Sequence, residues 1–335
     1  MTERVATTPG VFPLPDWAKD DLADLKGHQK HDLVSGDEDE EVVAVYDQAR
    51  KEVIERQQDA TLDRVVEGQL RWDDMLAHPL AVHDNVETRG IVRYYDNNNF
   101  YRDPVVTDEL TFDGDIANEL EAASGFASAD ELQAVVPGPY SLADLATDEY
   151  YGDEDDFLAA VADFLAGEVE AFPEVETLFV LEPSLVENVP GDGEDERASD
   201  AIDAVTTAAP ADTDVVVQTY WGALTEKVHA HLLDADFDAL GYDFVSNHEE
   251  NLYNINEYGT KGSIAAGVVD GQNTLVEDPG AIAERADWLE ENTPAADFET
   301  IYLTTNTETF YLPYSTFQEK LAALGEATEL TEVTA

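Results

Sequence analysis

The sequence predicts an α/β protein built as a closed (β/α)8 TIM barrel, in which eight parallel strands alternate with helices. Eight short runs rich in β-branched and aromatic residues occur along the 335 residues. Amphipathic helical segments lie between most of these runs, an alternation typical of parallel strands joined by helices. Nearly all runs end in Gly, Pro, Asn, Thr or an acidic residue, as expected at the C-terminal rim of a barrel. Eight such units favour a closed barrel over an open doubly wound sheet.

The helices are predicted from the spacing of apolar residues. In DDFLAAVADFLAGEVEAF, for example, Phe157, Val161 and Phe164 recur at helical spacing. The segments 42–58 and 280–291 show the same pattern. The eight predicted strands are residues 7–14, 62–69, 132–141, 177–185, 214–222, 241–247, 263–271 and 300–307.

Two segments interrupt this alternation. Residues 32–41, DLVSGDEDEE, predict an acidic, solvated loop before a helix. Residues 72–130 form a long insertion after the second strand, and a hairpin or lid is the natural interpretation because long loops in compact domains are usually functional. No internal repeat or flexible linker divides the chain, so we expect a single barrel domain over residues 1–335.

The net charge of the chain indicates the salt concentration in which it works and argues against nucleic acids and membranes as partners. Asp and Glu number 75 against 17 Lys and Arg, which gives a formal net charge of −58. Such a charge causes strong self-repulsion in ordinary cytoplasm, whereas in molar salt the Debye length falls to about 3 Å and the repulsion is screened. We therefore expect a protein of a high-salt cytoplasm that binds neither nucleic acid nor membranes. No apolar run is long enough to span a bilayer, and the N-terminus lacks the apolar core of a secretory signal.

Cysteine is absent from the sequence, so only His, Asp and Glu remain as metal ligands. His229 and His231 are two residues apart on a predicted helix and therefore point in different directions. His248 has Glu249 and Glu250 beside it and is the best candidate ligand, although a polar loop is the favoured interpretation. Motifs for nucleotide phosphates and for activated serine nucleophiles are also absent.

The most distinctive segment is RYYDNNNFYR, residues 93–102. Aromatic rings offer stacking faces and arginine offers bidentate recognition of anions, so the segment predicts a site for a planar anionic ligand. An ordinary hairpin with an Asn-rich turn is the alternative. Half of the arginines lie between Arg64 and Arg102, and we expect them to gather near one rim. The binding candidates from this segment are Arg93, Tyr95, Asp96, Asn98, Tyr101 and Arg102.

Further candidates stand at the ends of the predicted strands. Glu182 in LEPSL and Asp74 in EGQLRWDDM are carboxylates that a barrel would direct toward its mouth, and they are the catalytic candidates. The alternatives are a loop-capping role for Glu182 and a solvated surface role for Asp74. Gly138, between two prolines, allows the backbone to approach a ligand closely. Trp221 lies at the end of the fifth strand, VVVQTYWG, and is a further binding candidate.

Taken in order, these strand ends resemble the cobalamin-independent methionine synthase family. That family has the motifs T-x-G-S-[FY]-P, G-E-x-x-x-x-D-M, GPVT and DEPAL at its first four strands, and RYYDNNNFYR is similar to its F-D-T-N-Y-H-Y segment. The resemblance covers nearly the whole chain in collinear order. The matching residues here are Thr8, Gly10, Phe12, Pro13, Gly68, Asp74, Met75, Gly138, Pro139, Leu142, Glu182, Pro183 and Leu185.

The resemblance implies methyl transfer from a methylated folate, or an archaeal pterin equivalent, to homocysteine. In the family a zinc ion activates the homocysteine thiol and is held by H-x-C on the fifth strand, a glutamate on the sixth and a cysteine on the eighth. This sequence lacks those soft ligands. The corresponding residues are Thr219, Tyr220 and Trp221 on the fifth strand, Ser246 and Asn247 on the sixth, and Thr307 on the eighth.

In bacterial members of the family two barrels are fused, and only the C-terminal barrel keeps the metal. QTYWG here is similar to T-T-Y-F-G in the other barrel, so the chain resembles a free-standing, zinc-less barrel of haloarchaeal type. The resemblance implies a methyltransferase of methionine biosynthesis that acts either alone, with an unorthodox thiol site, or as one subunit of a split enzyme whose paralogous partner supplies zinc. The alternative is a non-catalytic, folate-binding or regulatory barrel that contacts a zinc-bearing paralogue.

Overall fold

The strands of the protein were located in a computed structural model that describes residues 2–23, 38–95 and 97–334, without the side chains of residues 331–334. Five of them consist only of buried residues, which is typical of parallel strands covered on both faces. In chain order the strands are β1 (Glu3–Ala6), β2 (Val65–Val66), β3 (Val86–Arg93), β4 (Phe100–Val106), β5 (Leu132–Pro137), β6 (Thr147–Asp148), β7 (Thr177–Leu181), β8 (Asp214–Gln218), β9 (Ala239–Asp243), β10 (Ser263–Val269) and β11 (Thr300–Thr305).

Eight of these strands form one parallel sheet in the order β1-β11-β10-β9-β8-β7-β5-β2. The two outer strands of that order meet through the residues beside them. The amides of Asp63 and Arg64 donate to the carbonyl oxygen of Ala6 over 3.0 and 3.2 Å, and the Ala6 amide donates to Asp63 Oδ2 over 2.7 Å. The sheet therefore curls until its first and second strands are neighbours, and the predicted (β/α)8 fold is confirmed.

Helices surround the sheet, and several begin at an aspartate. Asp39 and Asp153 each accept hydrogen bonds from two amides of the first helical turn, and Asp278 accepts one, which satisfies donors that a helix start leaves unpaired. The predicted helices 42–58 and 280–291 are confirmed. The helices are α1 (Asp16–Ala23), α2 (Glu40–Asp59), α3 (His78–Ala81), α4 (Asp115–Ala123), α5 (Pro139–Asp144), α6 (Glu154–Glu170), α7 (Ser184–Glu187), α8 (Glu194–Thr206), α9 (Glu226–Leu232), α10 (His248–Tyr258), α11 (Pro279–Asn292) and α12 (Tyr314–Thr334). In the described part of the chain, no helix has the length and apolar character needed to cross a bilayer.

The predicted first strand, residues 7–14, is wrong. The strand lies earlier, at Glu3–Ala6, and residues 7–14 form the loop that follows it. Gly10 and Val11 have φ angles of +77° and +54°, which no strand adopts. The sixth strand also begins and ends earlier than predicted, because Asp243 rather than Asn247 is its last residue. The acidic loop predicted at 32–41 falls mostly on residues 24–37, outside the described residues.

Residues 72–130 contain a hairpin that lies outside the barrel sheet. Strands β3 and β4 are antiparallel, and β6 pairs with β4 to complete a three-stranded sheet. The same segment contains a 3-10 turn at Met75–Ala77, α3 and α4. Because α4 packs against α2 and α6, it belongs to the ring of helices. The part before the hairpin is also packed on the barrel, since Trp72, Met75 and Leu80 are buried in the core.

Candidate functional site

The tip of the β3–β4 hairpin lies across the C-terminal end of the barrel. The Tyr94 hydroxyl donates to Glu308 Oε2 over 3.3 Å, and the Tyr95 hydroxyl is hydrogen-bonded to Ser184 Oγ at 2.9 Å. Glu308 follows β11, the eighth strand of the barrel, whereas Ser184 follows β7, the fourth strand. The hairpin tip therefore joins two sides of the barrel mouth. We call Tyr94, Tyr95, Tyr220, Trp221 and Glu308 the mouth cluster.

Four aromatic rings of the mouth cluster pack edge to face. The Trp221 ring centroid lies 4.9 Å from that of Tyr95, 6.0 Å from that of Tyr94 and 4.8 Å from that of Tyr220. Such tilted contacts are favourable for aromatic pairs beyond the area that they bury. Trp221 and Tyr95 also have positive φ angles, +69° and +49°, which bulky side chains rarely adopt and which cost about 1–3 kcal/mol each. The surrounding packing holds both backbones in these conformations.

Glu308 is the buried acid of the mouth cluster. Its Oε2 accepts hydrogen bonds from the Tyr220 hydroxyl at 3.0 Å and from Tyr94, while no described residue hydrogen-bonds its Oε1. Burial raises the pKa of Glu308 to about 7, although the two tyrosine hydrogen bonds act in the opposite direction. A carboxylate with a pKa near neutrality can both accept and release a proton, so Glu308 is suited to acid–base chemistry. The prediction from sequence stopped at Thr307, one residue before it.

Some of the other buried polar atoms without hydrogen-bond partners in the described residues lie on β9 or on the strands that lead to the mouth cluster, β8 and β11. Asp243, the last residue of β9, uses Oδ1 to accept from Asn306 Nδ2 at 3.0 Å and from two backbone amides, but its Oδ2 has no such partner. This acid stands at the end of the sixth strand, where the sequence prediction had found only Ser246 and Asn247. The remaining atoms of this kind on β8, β11 and the residues after them are Gln218 Oε1, Trp221 Nε1, Thr304 Oγ1, Thr309 Oγ1 and Glu308 Oε1. Of these atoms, Glu308 Oε1 and Trp221 Nε1 belong to the mouth cluster and offer hydrogen-bonding capacity to a bound molecule.

Glu182 is a predicted catalytic residue, and both of its carboxylate oxygens accept hydrogen bonds from other residues of the protein. It accepts hydrogen bonds from the Tyr140 amide at 3.0 Å, the Ser141 amide at 2.8 Å and the Ser141 hydroxyl at 2.6 Å. Burial raises the pKa of Glu182 to about 7. A Cβ atom at Gly138 would lie 2.1 Å from Glu182 Cδ, so only glycine leaves room for this carboxylate. The geometry supports the loop-capping alternative for Glu182, and Gly138 approaches Glu182 closely.

Asp74 and Arg102, predicted for different roles, bind one another. The Asp74 carboxylate accepts from the Arg102 amide at 2.8 Å, from Nε at 3.1 Å and from Nη2. Asp74 is buried and Arg102 is partly exposed. This pair attaches β4 to the segment that follows β2, and it leaves the Asp74 charge compensated by a cation rather than directed at the mouth.

The other candidates from the hairpin mostly brace its turn. Arg93 donates through Nε to the Asn97 carbonyl and through Nη2 to Asn98 Oδ1 at 3.2 Å. Tyr101 is buried and packs edge to face on Tyr94, with 6.1 Å between ring centroids. Asp96 lies outside the described residues. Of the hairpin candidates, Tyr95 is therefore the one in the mouth cluster.

The expectation that the arginines gather near one rim is wrong. Arg64 donates to Thr177 Oγ1 at 3.2 Å and pairs with Glu176 at 3.4 Å, at the amino ends of β2 and β7 and so at the end of the barrel opposite the mouth. Arg71 pairs with Glu38 and Asp115 beneath the hairpin, and Arg89 pairs with Glu149 at 2.6 Å on its surface. The net charge explains the dispersal, since Arg64, Arg71 and Arg89 each pair with acids in a different part of the fold.

The strand ends do not fit the zinc that the resemblance implies. The Thr219 hydroxyl donates to the Gly241 carbonyl at 2.9 Å, and the Thr307 hydroxyl donates to the Glu308 carbonyl at 3.0 Å, so backbone oxygens already engage both side chains. His248 is exposed at the start of α10, where its ring contacts Trp288 at 5.8 Å outside the mouth cluster. In the part of the chain that the structure describes, no three or more His, Asp or Glu residues are grouped to hold a metal.

Comparisons with known sequences connect this geometry to one family. A family model described as the N-terminal domain of cobalamin-independent synthase matches residues 82–294. The chain is also 22% identical to a methionine synthase of Saccharolobus islandicus over 281 residues, which cover 83% of this chain and 80% of that protein. A methionine synthase of Saccharolobus solfataricus is 22% identical over 282 residues, with the same coverage of both chains.

Solved structures show a similar fold. A B12-independent methionine synthase from Shewanella sp. W3-18-1, in complex with selenomethionine, superposes with a TM-score of 0.79 at 17% identity and covers 98% of both chains. A putative vitamin-B12 independent methionine synthase from Listeria monocytogenes gives a TM-score of 0.70 at 18% identity, covering 99% of this chain and 98% of that one. At these identities the likeness concerns the fold.

Proposed function

The chain belongs to the cobalamin-independent synthase family, and from that premise we propose that it methylates homocysteine in methionine biosynthesis. The methyl group comes from a methylated folate or pterin. The match of the family model over residues 82–294 and the relatives named methionine synthase support this reaction. The net charge of −58 supports a high-salt cytoplasm as its setting.

The proposal of catalysis rests on the pKa and the hydrogen bonds of Glu308. A thiol with a pKa of about 8.5 must lose its proton before its sulfur attacks a methyl group. Glu308 has a pKa near 7 and one carboxylate oxygen with no hydrogen bond from any described residue, so it can accept this proton. The sulfur then forms a bond with the methyl carbon, the bond between that carbon and the donor nitrogen breaks, and the proton passes from Glu308 to the nitrogen.

The aromatic residues of the mouth cluster would bind the donor. Trp221 and Tyr95 present ring faces and edges suited to stacking on a planar pterin. Tyr94 covers Glu308, and Tyr95 is bonded to Ser184 on the other side of the mouth, so we infer that substrates reach the mouth only when the hairpin tip lifts. We therefore assign the hairpin tip the role of a lid, a common device for excluding water from a reaction.

A second version of the proposal makes this barrel one subunit of a split enzyme. Zinc does not fit the strand ends described above, so a zinc-bearing paralogous barrel would activate the thiol and this chain would bind the methylated folate or pterin. The closed mouth favours a third candidate, a non-catalytic folate-binding or regulatory barrel, because two hydrogen bonds hold the hairpin tip over Glu308.

A homocysteine methylation assay in molar salt separates these versions. Activity of the purified chain alone, reduced at least tenfold by Glu308→Gln and unchanged by Glu250→Gln on the surface, supports catalysis by this barrel. Activity only in the presence of a zinc-bearing paralogue supports the split enzyme. Binding of methylated folate without activity under either condition supports the binding barrel. Stoichiometric zinc in the isolated chain contradicts the zinc-less site.

A further inference from the structure

Strand β3 is an edge strand with one partner. It pairs with β4, and in the described part of the chain no strand pairs with its other edge. Seven of its eight residues, 87–93, are exposed. Such an edge presents a row of backbone amide and carbonyl groups that can pair with another strand, and folded proteins usually cover or shorten it. The length and exposure of β3 make it a surface for strand addition.

Apolar side chains lie on this same exposed surface. Ile91 is 74% exposed, the highest value among the large hydrophobic residues that the structure describes, and Phe100, opposite Arg93 on β4, is 58% exposed. Val92 is 39% exposed but points to the other face of the sheet, because side chains alternate along a strand. Contiguous exposed apolar residues on a soluble protein commonly mark a contact with another molecule.

The charge of the hairpin favours a second copy of the chain as the partner. Residues 86–106 contain three arginines and three acids, so their formal net charge is zero, whereas the whole chain carries −58. Two copies of this chain repel one another over most of their surfaces, and the repulsion is weakest where the hairpins face each other. Strand β3 itself carries Glu87, Arg89 and Arg93. Glu87 pairs with Arg89 at 3.1 Å within the strand, on an exposed surface where an arginine of a second copy can also reach it.

We propose that β3 pairs with β3 of a second copy of the chain, antiparallel and around a two-fold axis at Gly90. Residues equally distant from Gly90 then lie opposite one another. Glu87 faces the partner's Arg93, and the same pair recurs on the other side of the axis, while Ile91 lies against the aliphatic stem of the partner's Arg89. The two three-stranded sheets become one sheet of six strands, with the self-complementary interface typical of two-fold dimers.

Gly90 is suited to the position on the axis. The register between β3 and β4 shifts at this residue, since Arg89 pairs with Asp103 and Ile91 pairs with Arg102. A Cβ atom built on Gly90 would meet nothing within 4 Å, so the backbone is open to solvent there. Glycine lets two backbones approach closely where they meet.

Sedimentation equilibrium of the full chain in molar salt, over a hundredfold range of concentration, tests the dimer. We expect a concentration-dependent monomer–dimer equilibrium and at least a tenfold weaker association for Ile91→Lys. Leu275→Lys is the matched control, because Leu275 is 72% exposed elsewhere on the molecule and its replacement should leave association unchanged. Circular dichroism checks that each variant folds.

Charge reversal tests the register. Glu87→Arg should weaken the dimer, because it places arginines opposite one another on both sides of the axis. Glu87→Gln, which removes the charge without reversing it, should weaken the dimer less. A chain that stays monomeric throughout the concentration range overturns the proposal. A dimer insensitive to Ile91→Lys, or equally stable with Glu87→Arg, overturns the β3 interface.

Discussion

The carboxylate of Asp74 accepts hydrogen bonds from three nitrogens of a single residue, Arg102, at its amide, its Nε and its Nη2. The pair connects the segment after the second barrel strand to the hairpin that covers the mouth. It joins a predicted catalytic residue to a predicted binding residue through three hydrogen bonds.

Removing Arg102 should destabilise the fold. Arg102→Ala leaves the buried Asp74 carboxylate without its cation, and we expect a loss of about 2–4 kcal/mol in the free energy of unfolding. Asp74→Asn combined with Arg102→Ala should recover part of this loss, because the amide carries no charge. Chemical denaturation in molar salt measures both. Lys51→Ala, which removes an exposed ion pair with Glu55 on α2, is the control and should change little.

Gly138→Ala should also destabilise the protein. The new methyl group would overlap the Glu182 carboxyl carbon at 2.1 Å, so either the carboxylate or the turn before α5 must move. We expect a loss of about 1–3 kcal/mol, typical of overpacking in a close-packed interior. Gly262→Ala offers a matched comparison, since a Cβ atom there meets nothing within 4 Å. Equal stabilities of the two variants would contradict the contact.

Glu308 should make stability fall as pH rises. Its pKa is about 7 in the folded protein, against 4.5 for an ordinary glutamate, so between these pH values the folded state binds more protons than the unfolded state. The contribution is fully present below about pH 4.5 and is lost as pH rises through 7. The difference in unfolding free energy between wild type and Glu308→Gln should therefore change by about 3 kcal/mol from pH 4.5 to 8. A pH-independent difference would show that Glu308 is not buried in this way.

The lid should open more often when its hydroxyl anchors are removed. Tyr94→Phe together with Tyr95→Phe eliminates the hydrogen bonds to Glu308 and Ser184 but keeps the aromatic packing. We expect hydrogen exchange at the hairpin tip, including the Tyr94 amide, to accelerate about tenfold. Exchange in β10, far from the tip in the barrel core, is the internal control and should not change. Unchanged exchange at the tip would argue against a lid held by these bonds.

Most of the barrel was predictable because its strands are continuous apolar runs. The first strand was not, because ERVA contains two charged residues while the loop after it, with Val11 and Phe12, is buried. Apolar residues indicate that a segment is buried, but not that it is a strand. Here a buried loop with positive φ angles has the amino-acid composition of a strand. The hairpin was predicted from RYYDNNNFYR, but the sequence could not show which of its side chains turn inward.

The functional site was harder to predict than the fold. Glu308 and Asp243 are two of 75 acidic residues, and only the path of the chain shows that they are buried at strand ends. Asp74 and Arg102 are 28 residues apart, and their pairing depends on how the hairpin folds back. Glu182 was identified correctly as a strand-end carboxylate, yet its three hydrogen-bond donors lie on the neighbouring strand-to-helix turn.

The two anchors of the hairpin tip lie four places apart in the ring of eight strands, on opposite sides of the mouth. A molecule that enters must therefore release at least one anchor, and the free energy of that release is subtracted from its intrinsic binding energy. The apparent dissociation constant equals the intrinsic constant divided by the fraction of open molecules. The same substrate can thus bind weakly to the wild type and tightly to a variant with loosened anchors, although every contact inside the mouth is identical.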